Sequence, residues 1–271
     1  MSTLGVTRRG LSAAGLIGLV LLLTNCMTAP ITGRRQLSLV SDSQMQSMAT
    51  DQYRQVLAEA KLSGNVTHKA MVQRAGVRIS QATEAFVQRQ GYSMTFQWEF
   101  NLIQDDATVN AWCMPGGKIA FYTGIMPLCQ DETGVAIVMG HEVAHALARH
   151  GSERVSQALV ANIGLIGFAE AMSDQPEQTR NLWLAAVGVG TQVGLLAYSR
   201  SQELEADRIG LILAASAGYN PEASVAFWER MERASGGKAP PEFLSTHPSG
   251  GRRIEQLRSC MPEALSYYHP Q

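Results

Sequence analysis

Residues 135–147 of this 271-residue chain read VAIVMGHEVAHAL. Three polar residues interrupt an otherwise apolar run, and both flanks are apolar, as a helix buried on the side of its polar residues requires. Asp131 and Glu132 precede the run and suit the first turn of a helix, where acidic side chains meet the positive end of the helix dipole. The stretch therefore predicts a helix that directs polar side chains into the protein.

The polar residues of this helix have the spacing of a metal site. His141 and His145 are four residues apart, so they lie about 40° from each other around the axis and both rings can bind one Zn²⁺. Glu142 lies beside them and can take a proton from a zinc-bound water, whose pKa the metal lowers to about 7. Because roughly one such chain in a hundred carries the HExxH pattern by chance, the assignment requires support from elsewhere in the sequence.

A catalytic zinc needs a third protein ligand and an open position for water. Residues 199–207 (SRSQELEAD) offer three acids. Glu203 and Asp207 are four apart and share one helical face, whereas Glu205 lies about 200° from Glu203 and faces away. We expect one of the pair to bind the metal and the other to accept the free N–H of a ligand histidine, which fixes the tautomer of that ring.

His150 follows the motif and is a further candidate ligand. On a continuous helix it would lie about 140° from His145 and about 180° from His141. We therefore expect its ring to point elsewhere, as a structural or surface histidine.

The remaining segments predict the architecture of the domain. Helices are expected over residues 42–61 and 67–90. Alternating aromatic and polar residues in 95–103 predict a half-buried strand, and 110–114 and 118–122 are strand candidates on either side of a Pro-Gly-Gly turn. Nearly everything beyond this turn region has a helical pattern. The prediction is a single α+β domain, mostly helical, with a small antiparallel sheet above the HExxH helix.

The N-terminus has the residue order of an export signal. Arg8 and Arg9 precede a 13-residue apolar run, which is short for a membrane crossing of roughly 20 residues. Residues 23–26 (LTNC) resemble a bacterial lipobox, in which the cysteine, here Cys26, is lipidated and becomes the first mature residue. An ordinary secretory signal cleaved nearby is the alternative. We expect a lipoprotein signal peptide over residues 1–25, a tether over 26–40 and the folded domain over 41–271.

Composition excludes several other classes of protein. With 22 basic and 23 acidic residues, the chain lacks the basic character of a nucleic-acid-binding protein. Four cysteines without a CxxC pair provide neither a disulfide scaffold nor a structural zinc site. Residues 158–172 and 181–198 are apolar but short or interrupted by polar residues, so we expect buried or lid helices there rather than membrane spans.

Three motifs together resemble a known family. The HExxH of residues 141–145 is followed 58 residues later by the ExxxD of residues 203–207, and it is preceded by NAxxxPGGxIxxxxG in residues 110–124. Over roughly residues 29–258, the chain is similar to the gluzincin zinc metallopeptidases of peptidase family M48. That family includes CAAX prenyl endopeptidases, HtpX-like membrane proteases and bacterial periplasmic lipoproteins, and residues 30–37 (PITGRRQL) resemble the start of the lipoprotein members.

The resemblance implies roles for single residues. It implies one Zn²⁺ per chain, with Glu203 as the third ligand and Asp207 as the support of a ligand histidine. The family also tends to carry His-Pro followed by Arg-Ile, matched here by His247-Pro248 and Arg253-Ile254. This implies that His247 lies near the metal, where it stabilises the oxyanion or occupies the open zinc position at rest. The alternative for His247 is a turn histidine. Arg253 could support the site electrostatically, and the alternative is a structural arginine at the start of a helix.

The sequence therefore predicts a zinc endopeptidase of the periplasm, lipid-anchored through Cys26 to the outer membrane. In the lipoprotein resemblance, Met27 after the cysteine implies transport onward to that membrane. The expected substrates are unfolded or misassembled envelope proteins, bound as extended strands at the edge around Gly116 and Gly117, and envelope assembly machinery is a further expected partner. A chaperone-like periplasmic lipoprotein with little turnover and an HtpX-like integral membrane protease with spans in 158–198 are the alternatives.

Overall fold

The computed structural model describes residues 26–29, 31–159, 198–234, 242–247 and 253–270. The predicted signal sequence lies outside the described residues, as do nearly all of the apolar segments 158–172 and 181–198. Among the helices that are described, none combines the length and the apolar character that a membrane crossing requires.

Helices dominate the described chain, and the predicted α+β class is confirmed. In chain order the helices are α1 (Asp42–Glu59), α2 (Val66–Arg89), α3 (Met126–Cys129), α4 (Glu132–Leu147), α5 (Arg200–Ser216), α6 (Ala223–Ala234), α7 (Glu242–Thr246) and α8 (Arg253–Leu265), and residues 150–159 are also helical. The strands are β1 (Cys26–Thr28), β2 (Arg35–Leu37), β3 (Glu99–Ile103), β4 (Ala111–Met114) and β5 (Lys118–Tyr122).

Helices α1 and α2 are the two helices predicted for residues 42–61 and 67–90, and polar side chains set where they begin. The Ser41 side chain accepts a hydrogen bond from the backbone N–H of Gln44, whose own side chain accepts one from the N–H of Ser41. Asn65 caps α2 by accepting from the N–H of His68. Each helix therefore starts where a side chain replaces a missing backbone partner.

The three predicted strands form one sheet in the order β3–β5–β4. Strands β4 and β5 pair antiparallel, with Ala111 opposite Phe121. Strands β3 and β5 pair parallel, with Glu99 opposite Lys118, so the sheet is mixed and not wholly antiparallel as expected. Alternation of apolar and polar residues indicates which face of a strand is buried but not the direction of the strand. The direction of each strand depends on the connections. Residues 104–110 link β3 to β4, and β5 lies between these two strands in the sheet.

Helix α4 carries the HExxH motif through the centre of the core. Every residue from 134 to 145 is buried, because α4 packs against α2, α5, α6 and β4. A helix enclosed in this way has no face exposed to water, which explains the apolar run around its three polar residues.

Helices α4 and α5 cross at two glycines, Gly140 and Gly210. A Cβ at Gly140 would lie 2.8 Å from the carbonyl oxygen of Gly210, and a Cβ at Gly210 would lie 2.9 Å from the Cα of His141. The two backbones therefore approach more closely than any larger residue permits. This close crossing brings the ExxxD residues of α5 within reach of the histidines of α4.

The segment 26–40 is predicted to be a tether that leads into the domain. In the structure it begins with a hairpin that packs on the domain. Strands β1 and β2 pair antiparallel, with Cys26 opposite Leu37. Gln36 and Val40 are buried. The segment that follows the predicted lipidation residue is thus in contact with the folded domain.

Candidate metal centre

His141 and His145 lie on one face of α4, and both rings are buried. Their Nε2 atoms are 3.1 Å apart. Zn–N bonds of roughly 2.0–2.1 Å in a tetrahedral site put the ligand atoms about 3.3 Å from one another. The two nitrogens therefore have the separation of two ligands of a single metal ion.

Helix α5 brings two carboxylates to the same place. A capping box at Ser199 fixes its first turn, which contains Glu203. Glu203 Oε1 is 3.3 Å from His145 Nε2, and Oε2 is 3.5 Å from His141 Nε2. One turn further, Asp207 Oδ1 lies 3.0 Å from Nδ1 of His141, on the other side of the ring. The structure thus places Glu203 with the metal-facing nitrogens and Asp207 behind His141.

A fourth donor comes from His247, directly after α7. Its Nδ1 is 3.2 Å from His141 Nε2 and 3.0 Å from Glu203 Oε1. Within the part of the chain that the structure describes, one group of residues has ligand atoms that all lie within 4.8 Å of one another: His141, His145, Glu203 and His247. Four donors at these distances fit a tetrahedral metal ion.

Glu142 is buried beside this group, and one of its carboxylate oxygens has no hydrogen-bond partner. That atom, Oε1, lies 3.6 Å from His247 Nε2 and bonds to no described residue. Burial raises the pKa of Glu142 above its ordinary value. Because burying an unpaired carboxylate oxygen is costly, this arrangement favours a group that exchanges a proton with a water in the site.

The pKa values of the two histidines of α4 are shifted in opposite directions. Burial opposes the charged form of His141, but hydrogen bonds to Asp207 and Glu203 raise its pKa to about 9. Burial lowers the pKa of His145 well below its ordinary value. A metal binds only the neutral ring, so protons compete with a metal chiefly at His141.

Arg253 lies deeper in the site than the sequence suggested. Its Nη2 is 2.6 Å from Asp207 Oδ1, and its Nη1 is 3.0 Å from Glu203 Oε2. The guanidinium carbon lies 3.4 Å from the centre of the Trp228 ring. Burial opposes ionisation of Glu203, but the charges of His247 and Arg253 hold its pKa well below the ordinary value. Arg253 therefore contacts both carboxylates of the ExxxD motif and favours the charged form of Glu203.

His150 is a buried histidine outside the donor group, as one of the expected alternatives had it, but the expectation that its ring points away from the site is wrong. Its ring is fully buried, and its Nδ1 lies 2.9 Å from the Nδ1 of His145. Helical phase fails here because Arg149 takes a positive φ of 60°, so residues 150–159 start a new helical segment in another direction. His150 contacts the metal-ligand histidine from behind and does not join the four donors.

Glu205 is a second residue whose role the sequence did not reveal. It faces away from Glu203 as expected, but it is buried, and its Oε2 lies 3.0 Å from His150 Nε2. No local pattern predicts this contact, because the two residues are 55 positions apart in the chain.

Comparison with known proteins agrees with the site. The profile described as "Peptidase family M48" matches residues 73–261. The chain is 35% identical over 243 residues to the mitochondrial metalloendopeptidase OMA1 of Schizosaccharomyces pombe, which covers 89% of this chain and 68% of that protein. It is 31% identical over 262 residues to the mitochondrial metalloendopeptidase OMA1 of Homo sapiens, and this alignment covers 94% of the chain and 50% of that protein. It is 25% identical over 253 residues to the beta-barrel assembly-enhancing protease of Escherichia coli, and this alignment covers 86% of the chain and 47% of that protein.

The chain thus spans about two thirds of the Schizosaccharomyces pombe protein and about half of the other two. The range that matches the family profile contains α4, α5 and α7 and extends into α8, and with them every donor described above. The resemblance expected from the three motifs is confirmed. This chain belongs to peptidase family M48 and is a metallopeptidase by that membership, and its α4 and α5 bring together donors that could hold the metal.

Proposed function

We propose that this protein is a zinc endopeptidase that hydrolyses unfolded or misassembled proteins of the cell envelope. The observation that carries the proposal is the convergence of His141, His145 and Glu203 at 3.1–3.5 Å, with the unpaired carboxylate oxygen of Glu142 beside them. Two imidazoles and one carboxylate are a ligand set of catalytic zinc. A carboxylate next to that set is the group that hydrolysis of an amide requires as its base.

Each residue of the site has a separate role in the proposed hydrolysis. When bound, zinc supplies a charge that polarises the scissile carbonyl and lowers the pKa of a water to about 7. Glu142 accepts the proton of that water and then donates it to the leaving amine. Asp207 accepts the Nδ1–H of His141, which leaves Nε2 free for the metal. Arg253 holds Asp207 in that orientation.

With a zinc ion held by His141, His145 and Glu203, His247 would be its fourth donor, in the position that a catalytic site leaves open for water and substrate. Its distances of 3.2 Å to His141 Nε2 and 3.0 Å to Glu203 Oε1 are those of a fourth donor. We assign this arrangement to the resting enzyme. The ring withdraws when a substrate enters, and from the displaced position its N–H can stabilise the oxyanion.

The substrate binds along β4 in this proposal. Among the strands that the structure describes, β4 pairs with β5 alone, so no described strand pairs with its other edge. Cys113 and Gly116 line a small pocket next to that edge, together with His145 and Phe96. An extended peptide held by backbone hydrogen bonds is recognised with little sequence preference, which suits unfolded substrates.

Removal of the metal tests the proposed activity. The mature protein is expected to cleave unfolded casein, to lose this activity in a zinc chelator and to regain it with added zinc, because the ligands remain in place while the polarising charge is absent. Products are followed by mass spectrometry, and a tightly folded protein of similar size serves as the uncut control. A zinc-loaded protein that retains casein intact, with or without chelator, would favour the chaperone-like lipoprotein instead.

We also propose that the protein is anchored by lipid at Cys26 to the periplasmic face of the outer membrane and works beside envelope assembly machinery. The comparison that supports this partner is the Escherichia coli relative, which is named for enhancing β-barrel assembly. Other relatives are mitochondrial. The proposed location therefore rests on residues 1–26 of this chain, with their basic, apolar and cysteine-terminated order.

Substitution of the anchor residue tests the location. A Cys26→Ala variant, exported with an ordinary cleavable signal, is expected to move from the outer-membrane fraction to the soluble periplasmic fraction, since the lipid is lost. Cys260→Ala with the natural signal is the control that stays in the membrane. If the Cys26 variant still resists extraction from the membrane, the result would contradict lipid anchoring and support the HtpX-like integral membrane alternative.

A further inference from the structure

A chain of buried polar contacts leads from the metal centre to the N-terminal hairpin. It begins at His145, whose Nδ1 is 2.9 Å from Nδ1 of His150. His150 Nε2 is 3.0 Å from Glu205 Oε2. The same Glu205 oxygen accepts a hydrogen bond of 2.8 Å from Nε of Arg34, in the hairpin. His150 and Glu205 thus connect the candidate metal ligand His145 to Arg34, which lies more than a hundred positions earlier in the chain.

The hydrogen bonds in this chain can have only one direction when a metal is bound. His145 binds the metal through Nε2, so its Nδ1 carries the proton and donates it. Nδ1 of His150 must then be the acceptor, which leaves the proton of that ring on Nε2. Nε2–H in turn donates to Glu205, which as a carboxylate only accepts. The negative charge of Glu205 therefore selects the tautomer of His150 that can receive the N–H of His145.

Arg34 holds Glu205 and a second buried carboxylate in place. Its Nη1 and Nη2 donate to the two oxygens of Glu153 at 2.9 and 2.7 Å, while Nε is bonded to Glu205. The side chains of Glu153 and Glu205 are only 7% and 5% exposed. Two carboxylates so little exposed need a cation between them, and the planar guanidinium serves both with separate N–H groups. The hydroxyl of Thr32 also donates to Glu205, but Arg34 is its cationic partner in the hairpin. Without Arg34, Glu205 would lose the charge that holds it toward His150.

We propose that Arg34 is a positioning residue of the metal centre, acting through Glu205 and His150 on the ring of His145. The inference rests on the proposed metal site but not on the proposed substrate or location. It gives the hairpin β1–β2 a role beyond connection. The strand that begins at Cys26 pairs with the strand that follows Arg34, so the predicted lipid anchor lies in the same hairpin as Arg34.

Zinc affinity of the mature protein tests the proposal without reference to cleavage. Outer partners of metal ligands typically contribute roughly 10–100-fold to metal affinity, so Arg34→Met is expected to weaken zinc binding by about tenfold or more. Arg34→Lys should recover part of the loss, because an ammonium restores the charge but not the two-sided contact. Affinity is measured by competition with a chromophoric chelator, and the absorption spectrum of the cobalt-substituted protein reports the ligand geometry.

Matched variants separate positioning from general stability. Arg35→Met, at the exposed neighbour in the same hairpin, should bind zinc as the wild type does. Glu205→Gln should weaken zinc binding. Glu153→Gln removes the other carboxylate held by Arg34, but the hydrogen bonds of the His150 ring go to His145 and Glu205, so this variant should bind zinc more nearly as the wild type does. Thermal unfolding of each metal-free variant shows how much of any change is loss of stability alone.

A double-mutant cycle identifies the route of the effect. If Arg34 acts through His150, Arg34→Met should produce little further loss of zinc affinity in a His150→Ala protein. Fully additive losses would overturn the proposed route. The proposal itself would be overturned if Arg34→Met had the same zinc affinity and the same cobalt spectrum as Arg35→Met. It would also be overturned if the wild-type protein bound neither zinc nor cobalt. Because affinity is measured, absence of peptidase activity in a zinc-binding protein leaves this test valid.

Discussion

Replacing Glu142 with glutamine is expected to abolish peptide-bond hydrolysis while leaving the metal bound. The amide keeps the shape of the side chain but has no basic oxygen to accept the proton of the attacking water. Glu142 is buried and its Oε1 has no hydrogen-bond partner among the described residues, so the substitution breaks no contact that holds the fold. General bases contribute roughly 10²–10⁴-fold to rate, and we expect a loss on the order of 10³-fold in kcat/KM.

The measurement combines kinetics with metal analysis. Wild type and Glu142→Gln are compared on the same unfolded fluorogenic substrate, and the zinc content of each is determined after dialysis. Glu59→Gln is the control, because Glu59 is exposed at the end of α1 and its substitution removes the same charge from the protein. Unchanged kcat/KM in a zinc-loaded Glu142→Gln protein would refute the assignment of Glu142 as the base.

The metal ligands could be predicted from sequence because their spacing is a property of single helices. His141 and His145, and likewise Glu203 and Asp207, are separated by about one turn, and the phase of a helix is the same in any protein. The structure places all four side chains at one site, with Glu203 among the metal-facing donors and Asp207 behind His141. What brings the two helices together is the Gly140–Gly210 crossing, which no helical pattern reveals.

The parts that could not be predicted depend on long-range contacts or on one backbone torsion. Arg253 meets His141 and Asp207 across 112 and 46 positions, so its own segment does not reveal these contacts, and only the family resemblance of His-Pro followed by Arg-Ile marks it. The position of His150 follows from the positive φ of Arg149, a conformation that non-glycine residues rarely adopt. The parallel pairing of β3 with β5 likewise depends on a connection whose path is not contained in the alternation of the strands.

Isosteric substitution of the two carboxylates of the ExxxD motif should distinguish a metal ligand from its support. Structural zinc sites bind with roughly 10–16 kcal/mol, so one of four donors is worth about 3–4 kcal/mol. Glu203→Gln is therefore expected to weaken zinc binding by on the order of 10³-fold. Asp207→Asn should weaken it by roughly 10–100-fold, since His141 keeps its Nε2 toward the metal but loses a charged acceptor for Nδ1–H.

The pair is internally controlled because both residues contact Arg253 and each variant loses one buried negative charge. Any cost of leaving the arginine with a single carboxylate is therefore common to both proteins, and thermal unfolding without metal should show similar destabilisation. The difference between their zinc affinities then measures the bond to the metal that Glu203 alone provides. Equal losses of affinity, or a larger loss for Asp207→Asn, would show that the ligand and supporting roles have been assigned to the wrong residues.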